Sequence, residues 1–176
     1  MGRYHDILVP TDGSTGTRRA IEEGAALAAE HGATLHALYV VNTASFATLQ
    51  LEANVEGVST LLQREGDQAL DEVEEIAADY GVPVERVFRE GAPSREIVDY
   101  AEELGVDLVV MGTHSRGGID RLLLGSVAEK VVRASRVPVM TVRVGDDTTD
   151  EADGSTATEA DGEASEEATA FESANG

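Results

Sequence analysis

The sequence predicts an α/β fold: a five-stranded parallel sheet, doubly wound, of strand order 3-2-1-4-5, with helices on both faces. Three observations lead there. Short apolar runs alternate with longer stretches of helical period, in the order βαβαβαβαβ. The first and fourth apolar runs hold consecutive aliphatic residues, as strands covered on both faces do. The loops that follow these two runs carry ligand-type chemistry, and they face one crevice if strands one and four are neighbours. Right-handed crossovers must reverse direction somewhere to cover both faces, and ligands bind outside the carboxyl ends of strands at that reversal.

Taken in order, residues 4–10 form strand one, with Ile7, Leu8 and Val9 as its apolar centre. Pro10, Thr11, Asp12, Gly13 and Ser14 break it with turn chemistry. Ser14 or Thr15 is placed to cap a helix that runs to about His31, with Ile21, Ala25 and Ala28 facing inward and Gly32 as its stop. Residues 33–41 (ATLHALYVV) form strand two. Weak periodicity over 42–54 predicts a loop or a frayed helix. From 55 to 80 a broad stripe of Leu61, Leu62, Ala69, Leu70, Val73, Ile76 and Ala77 predicts a long helix, ended by Gly81-Val-Pro83. Residues 84–89 form strand three. Pro93 suits a first helical position, Ile97, Val98, Ala101 and Leu104 follow as its apolar side, and Gly105 stops it. Residues 106–111 form strand four, 126–135 a helix with Val127, Val131 and Val132 on one side, and 137–142 (VPVMTV) strand five. Pro138 cannot donate to a ladder, which predicts a sheet edge there.

Between strand four and the last helix stands the stretch 112–126, GTHSRGGIDRLLLGS. Glycines let a backbone turn sharply and come close to a ligand. The open N–H groups and positive dipole end of the following helix bind anions, phosphate above all. Ser126 is placed to cap that helix or to give a hydroxyl to a phosphate oxygen. A plain strand-to-helix turn with a Ser cap is the alternative.

The chain of 176 residues has no cysteine, which excludes disulfides and thiol chemistry. No apolar run approaches the ~18 residues of a membrane span, and the first residues lack a signal-peptide pattern, so a soluble, cytoplasmic protein is expected. The formal net charge is −21, which argues against nucleic acid as a partner. Eleven acids and no Lys or Arg lie beyond residue 144, so the body carries −10. Lys130 is the sole lysine. An acidic, lysine-poor surface fits a halophilic source, the alternative being an acidic protein with an acidic tail. The expected domain is 1–144. Residues 145–176 cannot bury enough apolar surface to offset ordering entropy, and they read as an acidic disordered tail.

At these loops the chain resembles the universal stress proteins of the nucleotide-binding kind, over residues 4–144. The family's ATP-binding members carry Gly-x2-Gly-x9-Gly-Ser/Thr after strand four. Here the same spacing runs Gly112, Ser115, Gly125, Ser126. Pro10, Thr11 and Asp12 match after strand one, Val40 near the end of strand two, and 138–142 in strand five. The resemblance implies ATP as ligand. It places Asp12 by the ribose and phosphate end, and the Val40 backbone by the adenine. It assigns the phosphates to the loop of Gly112, Thr113, His114, Ser115, Arg116 and Gly117 with Gly125, Ser126 and Val127, and it adds Met111, at the end of strand four, to the cofactor-binding set. It also implies a homodimer through strand 137–142.

Ser115 departs from the motif glycine. If its position needs positive φ, Ser costs about 1 kcal/mol relative to Gly. A backbone N–H survives the change, and Arg116 offers a compensating phosphate bond. The same change could also mark a member that has lost ATP. His114 is a phosphate-contact candidate or an exposed turn residue. Asp12 is a candidate Mg²⁺ ligand together with phosphate oxygens, the alternative being an Asx turn that caps the first helix. His5, His31 and His36 lack metal-ligand spacing and read as structural or surface. No Walker-type lysine and no evident base to orient water stand in the sequence. The expected function is an ATP-binding regulatory stress-response protein whose ligand state changes what it binds. A slow ATPase and a ligand-free interaction module remain as alternatives.

Overall fold

The computed structural model describes residues 3–43, 55–113 and 124–143. Contacts divide the chain into Met1–Gly145 and Asp146–Gly176, and the second unit lies outside the described residues, as do His114, Ser115, Arg116 and Gly117. The elements are β1 (Asp6–Thr11), α1 (Thr15–His31), β2 (Thr34–Asn42), α2 (Val55–Asp79), β3 (Val84–Gly91), α3 (Pro93–Leu104), β4 (Leu108–Gly112), α4 (Ser126–Ala134) and β5 (Val139–Val142). They form one five-stranded sheet of order β3-β2-β1-β4-β5, with every pairing parallel. Winding runs outward from β1 to β3, then restarts on the other side of β1 with β4.

Strand alternation sorts the apolar side chains onto two faces. On one, Ile7, Val9, Leu35, Ala37, Leu108 and Val110 pack with Ile21, Ala25 and Ala28 of α1 and Leu70, Val73 and Ala77 of α2. On the other, Leu8, Leu38, Val109 and Met111 pack with Ile97 and Ala101 of α3 and Ala128 and Val131 of α4. Both faces of the central strands are therefore dry, which explains their unbroken apolar runs. Gly32 and Gly105 end α1 and α3 in the left-handed conformation at φ 67° and 70°, as expected of helix stops.

Three side chains depart from the expected inward pattern. Leu61, Leu104 and Val132 are 57%, 48% and 44% exposed. Periodicity gives the side of a helix but not where its partner surface ends. Leu104 lies in the last turn of α3, and Val132 sits one step off the buried Ala128–Val131 line of α4. β4 starts two residues later than expected and takes in Gly112. β5 is shorter than 137–142, because Pro138 precedes it and contributes only a carbonyl, which accepts the Val109 N–H at 2.9 Å. β5 is an edge strand, as the proline implies.

Candidate functional site

Direct pairing of β1 with β4 brings the carboxyl ends of these strands side by side. β1 ends at Thr11 and hands over to the loop of Asp12, Gly13 and Ser14. The Asp12 carboxylate accepts the Ser14 N–H through Oδ1 at 3.0 Å, an Asx turn. Among the described residues, Oδ2 of Asp12 takes no hydrogen bond. Gly13 adopts φ 70°, a left-handed turn that suits glycine. Its N–H donates to Thr11 Oγ1 at 3.1 Å. Thr11 is buried, and its hydroxyl lies 3.2 Å from that of Thr17, which donates to the Ser14 carbonyl at 2.8 Å.

The expected cap of α1 is corrected by this geometry. Ser14 occupies the N-cap position, but its side chain makes no capping bond, and neither does Thr15. The hydroxyl of Ser14 is buried without a partner among the described residues. The Asx turn of Asp12 orders the helix entry instead.

β2 brings Val40 to the same end of the sheet. Thr11 pairs with Tyr39, so Val40 stands one step further on, level with Asp12. Pro10 is buried inside β1 opposite Leu38.

Met111 is 5% exposed and Gly112 closes β4. Thr113 then joins three elements. Its N–H donates to the Val142 carbonyl of β5 at 3.0 Å, and its carbonyl accepts the Gly125 N–H at 2.6 Å. The entrance and exit of the 114–123 segment are thereby clasped together beside β5. Gly125 is the N-cap of α4 at φ −59°, ψ 153°, and Ser126 is its first helical residue.

One sequence expectation is corrected here. Ser126 is not the cap and makes no capping bond. Gly125 has a negative φ, and its N–H is engaged by the Thr113 carbonyl. The open donors are those of the first turn. Among the described residues, the N–H groups of Ser126, Val127 and Ala128 meet no acceptor, as the start of a helix leaves them. Val127 is half-buried, whereas Ser126 and Lys130 are exposed one turn apart on α4.

Charge distinguishes this crevice from its surroundings. A cleft of about 220 Å³ between the Asp12 loop and α2 is lined by Gly13, Glu65, Gln68, Ala69 and Glu72. Two carboxylates there repel an anion. The α4 end presents amides and a positive dipole end, which attract one.

Sequence reasoning missed Thr17. A lone threonine inside a helix carries no signal by itself, and its role emerges only from its distance to Thr11 and Ser14. No helix among the described residues is long and apolar enough to cross a membrane.

Known proteins resemble this chain in sequence and fold. The model of the Universal stress protein family matches residues 3–143. Universal stress protein MJ0531 of Methanocaldococcus jannaschii is 41% identical over 140 residues, which cover 80% of this chain and 82% of that protein. Universal stress protein YxiE of Bacillus subtilis is 33% identical over 147 residues, covering 80% and 99%. Among solved structures, that of MJ0577 from Methanocaldococcus jannaschii superposes with a TM-score of 0.71 at 28% identity, covering 81% of this chain and 98% of that one. A universal stress protein solved in complex with cAMP superposes at 0.62 with 27% identity, covering 81% and 98%. With the same strand order, matched over nearly all of the described residues, the chain belongs to the universal stress protein family.

Proposed function

We propose that the protein binds an adenine nucleotide, ATP by its motif, in the crevice between the ends of β1 and β4, and acts as a ligand-responsive regulatory protein. The observation that carries this reading is the direct β1–β4 pairing, which sets the Asp12 loop beside the open first turn of α4. The solved relative in complex with cAMP supports an adenine nucleotide as the class of ligand.

In this reading the amides of Ser126 and Val127 meet the phosphates, together with the 112–117 loop. Gly125 lets them approach. Asp12 Oδ2 reaches the ribose and phosphate end, and the Val40 backbone meets the adenine. Pro10, Thr11 and Met111 support the strand ends from below. Mg²⁺ fits the donor chemistry: Asp12 has one carboxylate oxygen engaged and one unengaged, and this ion commonly takes one carboxylate plus phosphate oxygens.

The functional unit in this proposal is a homodimer through β5. Met140 is 38% exposed on that edge strand, with Val139 and Val142 half-buried beside it, and an apolar edge invites pairing. The domain ends near residue 144, and 145–176 is an acidic appendage.

Calorimetry with ATP and GTP at one high salt concentration, with and without Mg²⁺, tests the reading. ATP is expected to bind more tightly. Equal affinity for both nucleotides, or for neither, refutes it. Light scattering at micromolar concentration reads the dimer, and a monomer at all salt concentrations refutes that part.

A further inference from the structure

We infer that Thr17, in the first turn of α1, is a positioning residue that sets the Asp12 loop in its binding geometry before any ligand arrives. For its effect on affinity, this rests on the nucleotide reading above. For its effect on the loop, it stands on the hydrogen bonds alone.

The directions of these bonds can be assigned. A carbonyl only accepts, so the Thr17 hydroxyl gives its single proton to Ser14 O at 2.8 Å. At the 3.2 Å contact between the two hydroxyls, Thr17 Oγ1 must then be the acceptor and Thr11 the donor. That leaves Thr11 Oγ1 to accept the Gly13 N–H at 3.1 Å. The relay therefore runs one way: Gly13 N–H to Thr11, Thr11 to Thr17, Thr17 to the Ser14 carbonyl. Thr11 and Thr17 are 6% and 7% exposed, so water competes little for these bonds.

The relay brackets Asp12. The amide on its carboxyl side is pinned to Thr11, and the next amide is pinned to Asp12 itself. The Ser14 carbonyl receives both the hydroxyl and the backbone N–H of Thr17, the latter at 3.0 Å. With both neighbours fixed, the carboxylate keeps one oxygen turned in and the other unengaged among the described residues. A loop ordered in advance spares a ligand the entropy of ordering it. Valine at 17 has the shape of threonine without the hydroxyl. It would break the relay at its middle and leave the Ser14 carbonyl short of one donor.

The test combines amide exchange with affinity. In the nucleotide-free parent, the Gly13 and Ser14 amides should exchange slowly, as α1 does. Thr17→Val should speed both and weaken ATP about tenfold, while Thr17→Ser stays near the parent in both measurements. In an Asp12→Ala background, Thr17→Val should cost no further affinity. Free-peptide exchange of Gly13 and Ser14 in the parent overturns the proposal, a measurement that needs no variant to fold. Thr17→Val binding within twofold of the parent, while Asp12→Ala loses ATP, also overturns it and leaves the nucleotide reading standing. An equal loss from Thr17→Val with and without Asp12 overturns it as well. A parent that binds no nucleotide removes the nucleotide reading and the affinity claim together, and amide exchange then decides for or against Thr17 as the residue that sets the loop.

Discussion

Nε2 of His36 lies 2.9 Å from Oδ1 of Asp6, at an imidazole only 2% exposed. Its other nitrogen is 3.0 Å from the Tyr100 hydroxyl on α3. A carboxylate only accepts, so Nε2 carries a proton, while Nδ1 faces both the O–H of Tyr100 and, at 3.6 Å, the Glu85 carboxylate. Burial, followed by the charge of Glu85, pushes the Tyr100 phenol above its ordinary 10.0, so the donor persists at any ordinary pH. This contact ties β1, β2 and α3 together at the end of the sheet opposite the proposed nucleotide crevice. His36→Ala should therefore cost about 3 kcal/mol, through the lost packing and a stranded Tyr100 hydroxyl. Asp6→Asn should cost less, since an amide oxygen also accepts from Nε2. Chemical denaturation reads both.

The acid limb of the stability curve has a named contributor. Asp107 Oδ2 accepts the N–H of His5 at 2.6 Å and that of Asp6 at 3.1 Å. The His5 amide is the main reason its carboxyl lies below the ordinary 3.8, and burial opposes the shift. The folded state thus binds this proton less readily than the unfolded chain does. The stabilisation is complete above the ordinary value and fades as pH falls through the lower folded one. Asp107→Asn should flatten the loss of stability below about pH 4, measured as melting temperature against pH.

α1 lies close against the sheet at one point. A Cβ on Gly24 would stand 2.6 Å from Cγ2 of Val9, a short, stiff side chain within β1. Alanine improves helix propensity, yet the overlap should prevail. Gly24→Ala is expected to destabilise by about 1–2 kcal/mol net. Thermal unfolding of the variant checks the sign.

Gly125→Asp separates binding from folding. The backbone at 125 is compatible with any residue, and Asp is a favoured N-cap. The fold should hold, while a negative charge at the helix start repels phosphate. ATP affinity should fall by more than about a hundredfold, several kcal/mol. Circular dichroism and calorimetry on one sample read both halves. Unchanged affinity in a folded variant would move the phosphates away from α4.

Much of this architecture was legible in the sequence because its signals are local. Gly32 and Gly105 mark helix ends by a backbone conformation that glycine adopts at least cost. Unbroken apolar runs marked strands that are dry on both faces. The strand order came from the chemistry of two loops, and the β1–β4 pairing agrees with it. What stayed hidden depends on distance in space. Asp6, His36 and Tyr100 are 30 and 64 residues apart along the chain. Thr11, Ser14 and Thr17 are near in sequence, but hydroxyl direction is not a pattern that composition or period records. Leu61 and Leu104 belonged to apolar stripes that extend past the surface they cover.

Lys130 gives the crevice a built-in reporter. It is the single lysine in the sequence, exposed one helical turn beyond Ser126 on α4. Side-chain amine chemistry therefore has one address in this chain, beside the helix start assigned to the phosphates. A fluorophore coupled there, with the terminal amine accounted for separately, would sit about one helical turn from an anion that docks at the helix start. Titrating the labelled protein would turn occupancy of the site into an optical signal without altering a single residue.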